Sequence, residues 1–153
     1  MSGTTWAGAF VGVVILASSA LAAGAAEPSA AERAAVFKAA GFKAKADQYV
    51  RCEDDVTMSY SPGRIEMEDL NADGSAEAWV KEGSLFCYGN TSEFFVLLTR
   101  QASGAWINLL EGVGVPTTLE TKSKGWPDIE VGGPGFGKFP EYGYDGKNYV
   151  LKK

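Results

Sequence analysis

From Gly41 to the C-terminus, short runs of alternating apolar and polar residues are cut at close intervals by glycine, proline, asparagine and aspartate. This punctuation constrains the fold more than any other feature. A side-chain period of two belongs to half-buried strands, and frequent turn residues leave no room for long helices. Ile65 and Met67 alternate with Glu66 and Glu68, and Ala78 and Val80 share one face of Glu77–Lys81. Glu93–Arg100, Ala105–Leu110 and Ile129–Val131 supply further strands, and Phe42–Asp47, Thr57–Tyr60 and Leu85–Tyr88 are read in the same way. Turns fall at Ser61–Arg64 (S-P-G-R), Gly89-Asn90 and Ser103-Gly104, with a two-residue hairpin turn at Asp145-Gly146. One helix precedes the strands. Ser29 and Glu32 form an S-x-x-E capping box, an Ala-rich run carries Val36, Phe37 and Ala40 on its apolar stripe, and Gly41 stops it. The expected fold is α+β and mainly antiparallel β, with roughly seven to nine short strands and one N-terminal helix.

Within this pattern, residues 69–77 read D-L-N-A-D-G-S-A-E. Asp69, Asn71 and Asp73 alternate, so their side-chain oxygens can converge on one point. Gly74 permits the sharp turn that a loop around a hard cation needs. Ser75 offers its backbone carbonyl and Glu77 a further carboxylate. Three carboxylates and one amide in so short a stretch repel one another unless a cation compensates. The expectation is a structural calcium site made by Asp69, Asn71, Asp73, Ser75 and Glu77. The competing reading is an Asx-rich β-turn that holds no ion.

The first 26 residues carry no Asp, Glu, Lys or Arg. Ala9 to Ala23 is an apolar run, followed by small residues with A-x-A-like sites ending near Ala25. This layout is that of a secretory signal peptide, although Met1 to Trp6 lack a basic residue. An uncleaved anchor is the alternative, weakened by the short, Ala- and Gly-rich apolar core. Residues 1–26 are therefore expected to be a signal peptide and 27–153 a single domain, periplasmic or secreted, with no membrane span after cleavage. Cys52 and Cys87 are the only cysteines. In an exported chain they are expected to form a disulfide rather than stay as free thiols.

The loop resembles the D-x-N-x-D-G-x-x-E/D loops of FG-GAP and VCBS-type repeats and of dockerin. It is not an EF-hand: the twelfth position is Val80, where an EF-hand has glutamate, and strand-like residues flank it on both sides. With a single copy of the loop, the propeller fold of FG-GAP proteins does not transfer. C-E-D-D, S-Y-S-P-G-R-I-E, D-L-N-A-D-G-S-A-E-A-W-V, C-Y-G-N-T, W-P-D-I-E-V-G-G-P-G-F and Y-D-G-K-N-Y-V-L occur in this order. Together they resemble a group of small exported proteobacterial proteins of unknown function. The resemblance implies an extracytoplasmic single domain and carries no activity. Relatives of this kind often have a further cysteine after G-P-G-F, where this chain has Gly137-Lys138.

The chain contains no histidine, which removes Ser-His-Asp and Cys-His nucleophile systems and histidine-ligated metals. No phosphate-binding or nucleophile-elbow motif is present. Net charge is −5, which argues against nucleic acid and anionic membranes as partners. Carboxylate pairs among Glu53, Asp54 and Asp55, or Glu66 and Glu68, are the remaining catalytic option, and solvated surface charge explains them more simply. Trp126, Phe136, Phe139, Tyr142, Tyr144 and Tyr149 cluster near the C-terminus among glycines and prolines. Trp126, Phe136, Tyr142 and Tyr144 are candidates for a binding surface, with core packing as the competing explanation. The expected function is non-enzymatic: a calcium-stabilised domain that binds a protein partner in the cell envelope. A carbohydrate-binding module is the alternative, and a carboxylate-dependent hydrolase comes third.

Overall fold

A computed structural model describes residues 27–53, 55–135 and 137–153, together with Gly3. The expected signal peptide lies outside the described residues, as do Asp54 and Phe136. The chain is an α+β domain, mainly antiparallel β. Helix α1 (Ala30–Ala39) is followed by strands β1 (Lys43–Lys45), β2 (Gln48–Val50), β3 (Ser61–Glu68) and β4 (Glu77–Gly83). A short helix α2 (Leu85–Tyr88) leads to β5 (Glu93–Arg100), β6 (Trp106–Val113), β7 (Val115–Ser123), β8 (Trp126–Gly132), β9 (Glu141–Tyr144) and β10 (Tyr149–Leu151). Among the described residues no helix is long and apolar enough to cross a membrane.

The helix starts and stops where its residues dictate. The Ser29 hydroxyl accepts the Glu32 N–H at 3.2 Å, satisfying one free donor of the first turn. At the other end Gly41 adopts φ +78°, and the Phe42 N–H returns to the Phe37 carbonyl at 2.9 Å. That closure brings the Phe37 and Phe42 rings to 5.5 Å, the apolar contact that accompanies such a cap.

The strands build a two-stranded β1–β2 hairpin and two four-stranded sheets, ordered β3-β4-β5-β6 and β10-β9-β8-β7. The first of these is the central layer. One face carries Ala78, Val80, Val96 and Leu98 and is covered by Val36 and Phe37 of α1 and by Ala40, which caps it. Tyr49 of β2 stacks on Phe37 at 4.1 Å and ties the hairpin to the helix. The opposite face carries Trp79, Phe95 and Leu97 and is covered by Trp126, Ile129 and Tyr149 of the second sheet. A central sheet buried on both sides explains the unbroken apolar run Phe94–Leu98, whose five residues are all buried.

Gly114 carries the chain from the edge of one sheet to the edge of the other. Its φ is +147°, and a Cβ there would sit 2.6 Å from the Gly132 carbonyl oxygen, so only glycine fits.

Several expectations need correction. Thr57–Tyr60 is a turn, not a strand: the Asp55 carboxylate accepts the Thr57 N–H at 2.8 Å and the Tyr60 N–H reaches the Thr57 carbonyl. Leu85–Tyr88 is helical because Ser84 caps it, its hydroxyl accepting the Cys87 N–H at 2.9 Å. Ser61–Arg64 is the irregular, shifted start of β3 and not a free turn. The Asp145-Gly146 turn is longer than two residues, since β9 and β10 pair from Tyr144 to Tyr149 and the Asp145 carboxylate caps the Lys147 and Asn148 N–H groups. Two strands, β2 and β7, were not anticipated.

Candidate functional site

The loop at 69–77 joins β3 to β4, so it is held at both ends by a paired ladder that begins at Glu68 and Glu77. Its side chains turn onto its own backbone. Asp69 accepts the N–H groups of Asp73 and Gly74 at 3.2 and 2.9 Å, and Asn71 accepts Asp73 at 2.9 Å. Asp73 accepts the Ser75 N–H at 2.8 Å and the Asn71 amide at 2.9 Å. Ala72 and Gly74 hold positive φ, which curls the loop. In this arrangement no three acidic or cysteine side chains among the described residues converge as ligands on one point.

Glu77 differs from the rest of the loop. It is 1% exposed, at the base of the turn, with one oxygen accepting the Leu70 N–H and the other the Thr99 hydroxyl, both at 3.0 Å. Burial pushes its carboxyl up from 4.5 to about 7, and repulsion from Asp73 and Asp69 adds to that against the two hydrogen bonds. The donor set suits a hard cation: it is all oxygen, and each carboxylate oxygen that accepts one hydrogen bond retains a second lone pair.

The Cys52–Cys87 disulfide is present, joining the loop after β2 to α2. Beneath it lies a carboxylate that the sequence reading passed over. Glu82 is fully buried and accepts four hydrogen bonds: the Arg51 and Cys52 N–H groups at 2.8 and 3.0 Å, the Tyr60 hydroxyl at 2.6 Å, and the Tyr88 hydroxyl. Burial and the Glu82 charge both raise the two phenols above the ordinary tyrosine range. Ser84 donates to Asp55 at 2.7 Å, and hydrogen bonds from Ser84 and Thr57 hold the Asp55 carboxyl below its usual value. A signal for Glu82 did exist. In β4 it shares strand parity with Ala78 and Val80, so it had to point to the same inner face.

The other carboxylates singled out from the sequence act as surface partners. Glu53 pairs with Lys43, and Glu66 with Lys81 and Arg64. Glu66 and Glu68 line a recess of 270 Å³ beside Trp79 and Lys81, but Lys81 holds Glu66 below the usual carboxylate range, the opposite of a general acid. Glu77 does have a raised value, yet it sits under its loop and does not line this recess.

The C-terminal aromatics divide. Trp126 is 9% exposed and belongs to the core, with the Tyr144 ring at 4.8 Å and Tyr149 edge-on at 6.4 Å. These two candidates therefore form no open platform for a sugar ring. Tyr142 does reach a surface feature, and Phe136 is outside the described residues. Tyr142, Phe139 and Leu110 line a cleft of 550 Å³ between the ends of β6 and β8, and an adjoining cleft of 410 Å³ shares Thr91, Gly132, Gly133, Pro134 and Phe139 with it. Glu111 lines the first and Glu130 the second. At the disulfide end, Val56, Met58, Leu85 and Phe86 are exposed on the two segments that the disulfide joins.

No protein-family model, curated protein or solved structure matches the chain.

Proposed function

We propose that the chain is an exported, non-enzymatic binding domain that engages a protein partner in the cell envelope and is stapled by one calcium ion at residues 69–77. Calcium would be held by Asp69, Asn71 and Asp73 with Glu77 and the Ser75 carbonyl, after the Asp and Asn side chains exchange backbone N–H groups for the ion. The observation that carries the calcium half is Glu77, a buried carboxylate near Asp69 and Asp73 to which, among the described residues, no lysine or arginine is bonded. A divalent ion there would relieve the repulsion and fix the β3–β4 turn. The role is that of a staple, since the loop connects two adjacent strands of the central sheet.

The binding half rests on how the other polar groups are used. Glu82, Asp55 and the disulfide brace one end of the molecule, and Asp128 is held by Lys152 and Ser123 at 2.7 and 2.6 Å. Among the surface features that remain, the open cleft beside Tyr142 is the candidate contact. Export is supported by the disulfide, which forms and persists in oxidising compartments, and by the signal-like character of residues 1–26.

The test is affinity capture from an envelope fraction on the immobilised chain, run with calcium, with EDTA, and with the chain reduced and denatured. The expected result is a discrete protein retained by the native chain and lost from the denatured one. Equal retention by both forms would refute partner binding.

A further inference from the structure

Three glycines of the cleft wall, Gly112, Gly132 and Gly133, are not required by the fold. None has a φ in the left-handed region. A Cβ on Gly112 would meet only the Phe95 ring, at 3.5 Å; on Gly132 only the Val115 carbonyl, at 3.5 Å; on Gly133 only a Thr91 methyl, at 3.7 Å. All three are ordinary contacts, unlike the 2.6 Å approach that forces glycine at position 114. Gly112 and Gly132 lie in β6 and β8 and Gly133 follows β8 directly; glycine within a strand costs stability and often marks a place where another backbone or a ligand comes close. The three bare positions lie along both adjoining clefts, so they keep one continuous groove open.

The chemistry of the groove narrows its occupant. The floor is apolar and aromatic, with Phe95 and Leu110 buried beneath it and Phe139 and Tyr142 at its side. Val113 and Val115, each 49% exposed, stand on either side of Gly114 and extend the apolar surface to the mouth. Both charged lining residues are acidic: Glu111 in the first cleft, where one of its oxygens accepts the Asn108 amide at 2.7 Å, and Glu130 in the second. Among the described residues no lysine or arginine lines either, and no lysine or arginine pairs with either glutamate.

From the bare backbone wall, the apolar floor and the two unneutralised carboxylates, we infer that this groove receives an extended peptide segment of a partner protein, alternating apolar and basic side chains. The inference rests on the partner-binding reading above and names its surface. Apolar side chains of the segment enter over Phe95 and Leu110, and its basic side chains reach Glu111 and Glu130 at the rim. The acidic net charge of the whole chain steers the same kind of partner.

The test is a nitrogen-15 NMR titration of the full chain with three probes: the peptide K-V-K-F-K-V-K, its acidic counterpart E-V-E-F-E-V-E, and a soluble peptidoglycan fragment. The expected result is that only the basic peptide moves the amide signals of Thr91, Gly112, Gly132 and Gly133. Glu111→Gln with Glu130→Gln should weaken it about tenfold, the value for two rim charges of ~0.7 kcal/mol each. Gly133→Leu should abolish it while leaving the other amide signals of the chain in place. Equal binding of both peptides overturns the inference, as does movement of the groove by the glycan fragment alone or silence with every probe. Peptide shifts confined to Met58, Leu85 and Phe86 would overturn the groove but leave partner binding standing. Failure of partner binding itself is read separately, in the capture experiment.

Discussion

Replacing Glu77 by glutamine tests the reasoning about the loop at its most sensitive point. The substitution keeps size and both hydrogen-bonding positions. The amide oxygen can accept the Leu70 N–H, and the amide nitrogen can donate to the Thr99 hydroxyl, which accepts as readily as it donates. Only the charge is removed. In the absence of calcium the folded chain holds the Glu77 proton up to about 7, while the unfolded chain releases it near 4.5. Between those values the folded state binds more protons, so stability falls as pH rises through the window and levels off above it. At about 1.4 kcal/mol per pH unit, the loss reaches a ceiling of about 3 kcal/mol. Glu77→Gln has no such proton to lose. Urea unfolding in EDTA should therefore show the native chain weakening from pH 5 to pH 8, while the variant stays level and becomes the more stable of the two at pH 8. Calcium should narrow that gap. At a tenfold excess over the dissociation constant it adds about 1.4 kcal/mol to the native chain and little to the variant. A variant that is less stable than the native chain in EDTA at pH 8, or one that keeps the full calcium effect, would refute the argument.

The disulfide closes a loop across 35 residues, so replacing Cys52 and Cys87 together by serine should cost about 4 kcal/mol from the greater freedom of the unfolded chain, measured by urea unfolding. Glu82→Ala should cost more than ~3 kcal/mol in the same assay, because it leaves four donors around Glu82 without their acceptor, whereas Tyr60→Phe removes a single hydrogen bond to the carboxylate and should cost about 1.5 kcal/mol. Similar losses for the two would show that Glu82 is not the hub of that network.

The strand pattern of the central sheet was readable because its faces differ. Ile65 and Met67 do face the helix layer, and Ala78 and Val80 do share the inner face of β4. β7 was missed for the opposite reason: along V-P-T-T-L-E-T-K-S no position is fully buried, so no apolar rhythm marks it. It is held as a strand by its pairing with β8, through a tight turn at Lys124-Gly125 where both residues adopt positive φ. Leu85–Tyr88 reads as an apolar run, and only the Ser84 cap and the bond from Cys87 to a distant loop make it a turn of helix. The candidate loop was legible as the connection between two strands, but its burial was not. Sequence placed Glu77 as the last carboxylate of the loop, and the fold buries it beneath that loop. The groove could not be read at all, because it is made by glycines and edges from β6, β8 and the approach to β9 that meet only in the folded chain.

The most direct test of the account is a calorimetric titration of calcium chloride into the chain at neutral pH. The account predicts one saturable site with a dissociation constant on the order of 10⁻⁴–10⁻³ M, the range of extracellular calcium loops, lost in Asp73→Asn and in Glu77→Gln. The absence of any saturable heat up to about 10 mM calcium, well beyond that range, would contradict it and leave residues 69–77 as a turn closed by its own hydrogen bonds.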